Sequence, residues 1–366
     1  MHKNDFAPTP PMGWDSYDYY GTSINETQVK SGAHYLAEHL KEYGWEYIII
    51  GTKLLPDENA FPSSAAGAGY KPLAEYIHKL GLKFGLHIST IQASGPLTAE
   101  MQPSPEGQAY YDFLLAQYAS WGVDFIQCDS DIAEMRMISN AIKKCGRPMV
   151  LSIAIKHALL EHAWHYATHA NMWHIMEETS NTAKDKPSEM TELFRQCELW
   201  QTHVRKGCYP DCGMLPFNKT NDQSCSPETT YTNDEMQTIL TLRCLFGSPL
   251  MLGGDITHLD TKTLKLLTNP QILAISSPQC QPRQIYRDET KVIWQADDPY
   301  ENEHYVALFN LSTKSQLIDV SLQDLGYYTT SARLTDVWTG NLAASRRSKI
   351  IARLRPHACI VYRVEF

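Results

Sequence analysis

Carboxyl groups that follow apolar runs are the first candidates for chemistry in this sequence. Asp129 closes one such run, and Glu177 and Glu178 come shortly after another, Asn171–Ile175. At the end of a buried strand, a carboxyl group can act as a nucleophile or as a proton donor. Each also has an ordinary structural interpretation. Asp129, or Asp131 beside it, is placed to cap the next helix, and the two glutamates can form a solvated pair in a loop.

Short β-rich runs alternate with amphipathic helical stretches up to about residue 270, which is typical of βα units around a parallel sheet. The eight predicted strands are Met12–Tyr17, Glu46–Ile50, Lys83–Ile88, Asp124–Cys128, Met149–Ile153, Asn171–Ile175, a short one near Tyr209–Leu215, and Pro249–Gly253. Eight such strands, each followed by a helix, predict a (β/α)8 TIM barrel. In that fold functional side chains stand at the carboxyl ends of the strands.

Capping signals mark three of the predicted helices. Asn25 precedes a stretch with apolar residues at helical spacing, and Lys71–Leu80 ends at Gly81. Thr232 precedes two acidic residues and then Met236–Phe246. Polar residues at the start and glycine at the end are the usual boundaries of a helix.

The pattern changes after about residue 283, where strand-like runs are joined by polar turns without long helices. These runs are Val292–Gln295, His304–Leu308, Leu317–Ser321, Ser331–Asp336, Lys349–Leu354 and Cys359–Val364. Runs of this kind predict an antiparallel β-sandwich. We therefore expect a barrel domain at residues 1–282 and a C-terminal antiparallel β domain at residues 283–366.

The composition excludes several classes of partner. The 366 residues are 43% hydrophobic and 20% charged, with a net charge of -9, which is typical of a soluble globular protein. Because no basic stripe is present to neutralise phosphates, we expect no nucleic-acid partner. No window approaches the roughly 18 apolar residues of a membrane span, so we expect no membrane partner. The first residues contain no apolar export signal, and the compartment and the oligomeric state stay open.

Metal and disulfide sites have weak support. The nine cysteines are odd in number and contain no CxxC pair, which argues against a zinc site or a complete disulfide framework. Cys208, Cys212 and Cys225 lie close in sequence and can pair if the protein is exported. His165 and His169 have a spacing that suits a metal, but no third ligand is evident. We therefore expect no metal.

A series of motifs runs along nearly the whole chain. They are Pro10–Tyr17 (PPMGWDSY), Gly44–Tyr47, Leu80–His87, Trp121–Phe125, Asn171–Trp173, Gly247–Met251, Gly254–Asp255, Trp294–Asp298, Ala307–Asn310 and Asp336–Trp338. In this order they resemble glycoside hydrolase family 27, the retaining α-galactosidase group, including its C-terminal β domain. One such motif alone is a weak signal, whereas this many in the right order are specific.

The resemblance implies a chemistry for the two carboxyl positions. A retaining glycosidase needs one carboxylate to attack the anomeric carbon and one carboxylic acid about 5–5.5 Å away to protonate the leaving oxygen. Asp129 stands where the family has the nucleophile of its K-x-D motif. Glu178 stands where W-R-x-x-x-D has the acid/base, and Glu177 takes this role if the loop is shifted by one residue. The resemblance further implies a carbohydrate substrate and no cofactor.

The sugar-binding positions depart from the family. The Asp pair that ends the second strand and holds the galactose 4- and 6-hydroxyls reads Gly51-Thr52 here. The Lys of K-x-D is Gln127, the Arg after the sixth-strand Trp is His174, and the D-x-D of the seventh strand reads 211–213, Asp-Cys-Gly. Galactose therefore cannot be held in the usual way. The residues expected to bind the sugar are Trp14, Tyr17 (in place of a stacking tryptophan), Thr52, Lys53, His87, Gln127, Trp173, His174 and Asp211.

Two functions fit this pattern. The first is a retaining glycosidase that cleaves an α-linked galactose-like or variant sugar through a covalent glycosyl-enzyme. The second is a catalytically inactive carbohydrate-binding pseudoenzyme on the same scaffold. Retention of both carboxyl positions favours the first, because loss of selection would not preserve them.

Overall fold

The computed structural model describes residues 2–52, 55–88, 103–155, 158–176, 186–217, 231–276, 280–298 and 302–366, without the side chains of residues 186–188. The strands in these ranges are β1 Met12–Asp15, β2 Tyr47–Thr52, β3 Lys83–Ile88, β4 Phe125–Cys128, β5 Val150–Ile153, β6 Met172–His174, β7 Tyr209–Asp211, β8 Met214–Leu215, β9 Leu250–Leu252, β10 Gln281–Arg287, β11 Lys291–Asp298, β12 Glu303–Asn310, β13 Gln316–Ser321, β14 Arg333–Asp336, β15 Leu342–Ala344, β16 Lys349–Leu354 and β17 Cys359–Glu365. The α-helices are α1 Tyr17–Tyr20, α2 Glu26–His39, α3 Lys71–Lys79, α4 Pro105–Trp121, α5 Ile132–Cys145, α6 Ala163–His169, α7 Lys186–Trp200, α8 Asn233–Phe246, α9 Thr261–Leu267 and α10 Pro270–Ile275.

Strands β1 to β9 form one parallel sheet, in the order β7-β6-β5-β4-β3-β2-β1-β9-β8. Its two terminal strands, β7 and β8, are consecutive in the chain and are separated only by Cys212 and Gly213. The sheet therefore closes on itself as a TIM barrel, and the predicted fold is confirmed. The predicted seventh strand is split in two, because Gly213 adopts a φ of +79° between the two halves.

Apolar runs account for the buried strands, and capping residues account for the helix starts. Every residue of β2, β4 and β5 is buried, as in a parallel sheet that is covered on both faces. Asn25 and Gln28 form a reciprocal capping box at the start of α2, and Thr232 and Glu235 form another at α8. The predicted starts of these two helices are confirmed.

The chain divides into two compact units. The first comprises the described residues of Met1–Asn181, Arg205–Thr229 and Pro249–Leu259, and the second those of Thr182–Val204, Thr230–Ser248 and Asp260–Phe366. All barrel strands belong to the first unit. The predicted boundary between residues 282 and 283 stays a prediction.

The C-terminal strands form two antiparallel sheets. One has six strands, in the order β10-β11-β12-β17-β14-β15, and the other pairs β13 with β16. Apolar side chains of both sheets share one core, among them Val306 and Leu308 of the first and Ile318, Val320 and Ile350 of the second. The predicted β-sandwich is therefore confirmed.

Candidate active site

Side chains from three barrel strands meet at the carboxyl ends of those strands. Asp15 is the last residue of β1, His87 lies in β3, and Asp129 directly follows β4. The Nδ1 atom of His87 is 3.0 Å from Oδ2 of Asp15, and its Nε2 atom is 3.7 Å from Oδ1 of Asp129. The first distance is a hydrogen bond, and the second is within ion-pair range but too long for a hydrogen bond. The cluster thus links two carboxyl groups through one imidazole.

Two neighbouring carboxyl groups favour the charged form of the His87 imidazole. Burial opposes its charged form, but the carboxyl groups of Asp15 and Asp129 outweigh that effect and raise the pKa of His87 to about 10. Asp15 is fully buried, and its other oxygen accepts a hydrogen bond from the backbone N–H of Tyr17 at 2.9 Å. A buried carboxyl group requires such partners. Sequence reasoning missed Asp15, although it closes a strand just as Asp129 does.

Asp131, not Asp129, caps the helix that follows β4. The Oδ1 atom of Asp131 accepts a hydrogen bond from the backbone N–H of Glu134 at 2.8 Å, which is the geometry of a helix N-cap. The side chain of Asp129 is 28% exposed. The N-cap of this helix is therefore Asp131, and Asp129 stays the candidate nucleophile.

Tyr17 fills the space beside Gly51, and Tyr70 contacts Thr52. Its ring centroid lies 4.4 Å from that of His87. A Cβ atom added to Gly51 would lie 2.6 Å from Cδ2 of Tyr17 and 2.5 Å from the carbonyl oxygen of Gly21. The buried Thr52 hydroxyl hydrogen-bonds to the hydroxyl of Tyr70. Neither position of the expected Asp pair therefore carries a carboxyl group, and residue 51 has no space for one.

His174 and Asp211 meet where β6 and β7 end. The two residues are register partners in the sheet, and Oδ1 of Asp211 accepts a hydrogen bond from the Gly213 N–H at 2.9 Å. A Cβ atom on Gly213 would lie 2.3 Å from Nε2 of His174. Only glycine fits there, because both the positive φ and the imidazole exclude a side chain.

Trp14 and Trp173, which the sequence predicts to bind sugar, are both buried, and their role at the sugar stays a prediction. Trp14 is 1% exposed, its ring lies against Gly32 of α2, and its Nε1–H donates to the carbonyl oxygen of Gly254 at 2.8 Å. Trp173 is fully buried, with its ring 5.9 Å from that of Tyr166 in α6. Successive strand residues point to opposite faces, so each tryptophan faces the helices while its neighbour faces the barrel interior.

Three predicted site residues, Lys53, Glu177 and Glu178, lie outside the described residues, and their roles stay predictions. Within the described ranges, no group of three or more His, Cys, Asp or Glu side chains is arranged to hold a metal ion. No helix in the same ranges is long and apolar enough to cross a membrane. Cys208 carries a free thiol, and Cys225 lies outside the described part of the chain, so the predicted pairing among Cys208, Cys212 and Cys225 is not confirmed.

Comparison with known proteins identifies the family. A family model described as alpha galactosidase A matches residues 9–278, and a model of the alpha galactosidase C-terminal beta sandwich domain matches residues 288–364. The chain belongs to glycoside hydrolase family 27. As a family 27 protein it is a glycoside hydrolase, and its substrate is a carbohydrate.

Several family 27 relatives match over almost the whole chain. A β-L-arabinopyranosidase of this family from Geobacillus stearothermophilus is 33% identical, with a TM-score of 0.91, and the match covers 100% of this chain and 98% of that one. Another structure of that enzyme contains arabinose. A structure of a possible alpha-N-acetylgalactosaminidase from Bacillus halodurans is 32% identical, with a TM-score of 0.80 and 97% of both chains covered. Alpha-galactosidase 2 of Arabidopsis thaliana is 24% identical over 99% of this chain and 91% of its own length.

Proposed function

We propose that this protein is a retaining glycosidase that hydrolyses β-L-arabinopyranosides. L-Arabinopyranose is the galactopyranose ring without its C6 hydroxymethyl group. A β-L-arabinopyranoside therefore presents the same ring hydroxyls and the same leaving-group direction as an α-D-galactopyranoside. The family chemistry can remain unchanged while only the pocket around C5 differs.

The close contact between Tyr17 and Gly51 carries this proposal. Family 27 members usually have an Asp pair at the positions of residues 51 and 52, which holds the 4- and 6-hydroxyls of galactose. In this chain Gly51 has no room for a side chain. A charge-assisted hydrogen bond is worth about 1.5–3 kcal/mol, so galactose loses much of its affinity at this place. Arabinopyranose has no 6-hydroxyl, so only its 4-hydroxyl needs another partner. The relative from Geobacillus stearothermophilus, described as a β-L-arabinopyranosidase, supports the same choice.

The proposed reaction proceeds in two steps. Asp129 attacks the anomeric carbon and forms a glycosyl-enzyme, while the carboxylic acid of Glu178 protonates the departing oxygen. Glu178 then acts as a base and activates the water that releases the sugar with its original anomeric configuration. If the loop is shifted by one residue, Glu177 performs both proton transfers instead.

A comparison of two aryl glycosides tests the proposal. The kcat/KM for 4-nitrophenyl β-L-arabinopyranoside should exceed that for 4-nitrophenyl α-D-galactopyranoside by about tenfold or more. NMR of the first-formed sugar should show retention of the anomeric configuration. A preference for the galactoside would overturn the sugar assignment, and an inverted product would overturn the mechanism. Binding of L-arabinose without hydrolysis of either glycoside would instead favour the inactive carbohydrate-binding protein.

A further inference from the structure

We propose that His87 is the cationic partner of Asp129 and that Asp15 positions it for this role. The inference rests on the proposed function, because it takes Asp129 as the nucleophile. It changes the role of His87, which the sequence predicts to be a sugar ligand. His87 is then a positioning residue that acts through Asp129.

The geometry supports a doubly donating imidazole. A protonated histidine carries one N–H on each ring nitrogen. In that form the Nδ1–H of His87 donates to Oδ2 of Asp15 at 3.0 Å, and its Nε2 atom lies 3.7 Å from Oδ1 of Asp129. This Nε2 atom is buried and has no hydrogen-bond partner among the described residues. Hydrogen bonds of catalytic groups are often long without substrate and shorten in the complex.

Residue 127, two positions before Asp129, carries no charge in this chain, so a cation beside Asp129 has to come from another strand. The family has Lys there, and this chain has Gln127, which carries no charge. Gln127 and His87 are register partners on neighbouring strands, and the Gln127 Nε2 atom lies 3.4 Å from Nδ1 of His87. The positive charge of the motif is thus lost from β4, and a positive charge enters the same space from β3.

Other ionisable groups surround this pair. The ring of Tyr17 lies against the imidazole. On the β4 side, the charge of Asp129 adds to burial in raising the pKa of both Cys128 and Glu134. Burial keeps the Cys128 thiol protonated, whereas Glu134, with a pKa of about 7, changes charge near neutrality. All variants in the tests below retain Glu134, so its ionisation affects each of their pH profiles in the same way.

His87→Gln tests the inference through the pH profile of kcat/KM on an aryl glycoside. A carboxyl group that loses a neighbouring positive charge ionises less readily. The acidic limb of the profile should therefore move to higher pH by about one unit, which lowers kcat/KM by up to about tenfold on that limb. Adding Gln127→Lys to His87→Gln should return the limb toward its original position, because a lysine at residue 127 stands beside residue 87.

His78→Gln is the matched control. His78 also pairs with an aspartate, since its Nε2 atom is 2.7 Å from Oδ2 of Asp124, but Asp124 precedes β4 and lies at the opposite end of that strand from Asp129. This control should leave the acidic limb in place. If His87→Gln fails to fold because Asp15 loses its buried partner, Asp15→Asn with His87→Gln removes the unpaired charge and takes its place in the test.

NMR titration of the His87 imidazole gives a readout that does not depend on turnover. The ring should stay protonated at pH 8 in the unsubstituted protein and lose its proton at lower pH in Asp15→Asn. A neutral His87 at pH 7, or an acidic limb that does not move in a folded His87→Gln variant, would overturn this inference alone. An inactive unsubstituted protein would overturn the proposed function.

Discussion

The ring of Tyr17 lies so close to Gly51 that a Cβ atom on residue 51 would be only 2.6 Å from Cδ2 of Tyr17. Gly51→Ala should therefore lower the free energy of unfolding by about 1–3 kcal/mol through overpacking, as measured by chemical denaturation. In a Tyr17→Ala background the loss should be smaller, because the ring contact is removed and only the Gly21 carbonyl oxygen and the Cβ atom of residue 17 still crowd the new methyl group. An equal loss in both backgrounds would show that the tyrosine ring does not restrict residue 51.

Asp129 and Asp131 should respond in opposite ways to substitution. Asp129→Asn should reduce kcat by several orders of magnitude with little change in the melting temperature, because its carboxyl group is proposed to form the covalent bond. Asp131→Ala should lower the free energy of unfolding by about 1 kcal/mol through loss of the N-cap. Asp131→Asn is the control for the cap, since asparagine caps equally well. Full activity of Asp129→Asn would remove Asp129 from the mechanism.

Glu178→Ala should spare activated substrates more than natural ones. Protonation of the departing oxygen matters most when the leaving group is poor, whereas an activated aryl group departs almost unaided. Azide, which needs no general base, should then attack the glycosyl-enzyme and give a glycosyl azide with the anomeric configuration of the substrate, detectable by NMR. Glu177→Ala is the matched variant. If Glu178→Ala affects both substrate types equally and forms no azide product, the acid/base is not Glu178.

Glu134 should make stability depend on pH in the mildly acidic range. Burial raises the pKa of Glu134 from 4.5 to about 7, and the Tyr111 hydroxyl donates a hydrogen bond to it. Between these two values the folded state binds more protons than the unfolded state. The stability that Glu134 contributes is therefore complete below about pH 4.5 and is lost as the pH rises to about 7.

Denaturation of Glu134→Gln at several pH values measures this effect. The glutamine cannot ionise and still accepts the Tyr111 hydrogen bond, so the variant should lose less stability between pH 4.5 and 7 than the unsubstituted protein. Glu106→Gln, at an exposed glutamate in the first turn of α4, controls for the loss of a negative charge near a helix N-terminus. Parallel pH profiles for Glu134→Gln and the unsubstituted protein would contradict the prediction.

Most of the fold was predictable because the barrel strands are short apolar runs with polar boundaries. Two C-terminal strands, β10 and β15, were missed because neither has a buried face. No residue of β10 is fully buried, and all three residues of β15 are exposed. Strands without a buried face leave no hydrophobic pattern in the sequence.

The candidate site was predictable only in part. The position of Asp129 follows from the rule for barrel strand ends, and the same rule points to Asp15. Which side of a strand faces the interior is harder to predict, because a strand that is buried on both faces has no alternation in hydrophobicity. The charge on His87 depends on two carboxyl groups from other strands, and no local pattern predicts that.

Closure of the barrel has a consequence for synthesis on the ribosome. One edge of β1 pairs with β2 early, but its other edge waits for β9, where Met12 pairs with Leu250. That partner emerges about 240 residues later, which takes on the order of 10–50 s at roughly 5–20 residues per second. Throughout this interval the nascent chain exposes an unpaired strand edge, the kind of surface on which chains aggregate. Expression at a slower translation rate lengthens this exposure, so soluble yield should depend on chaperones that bind the unfinished chain.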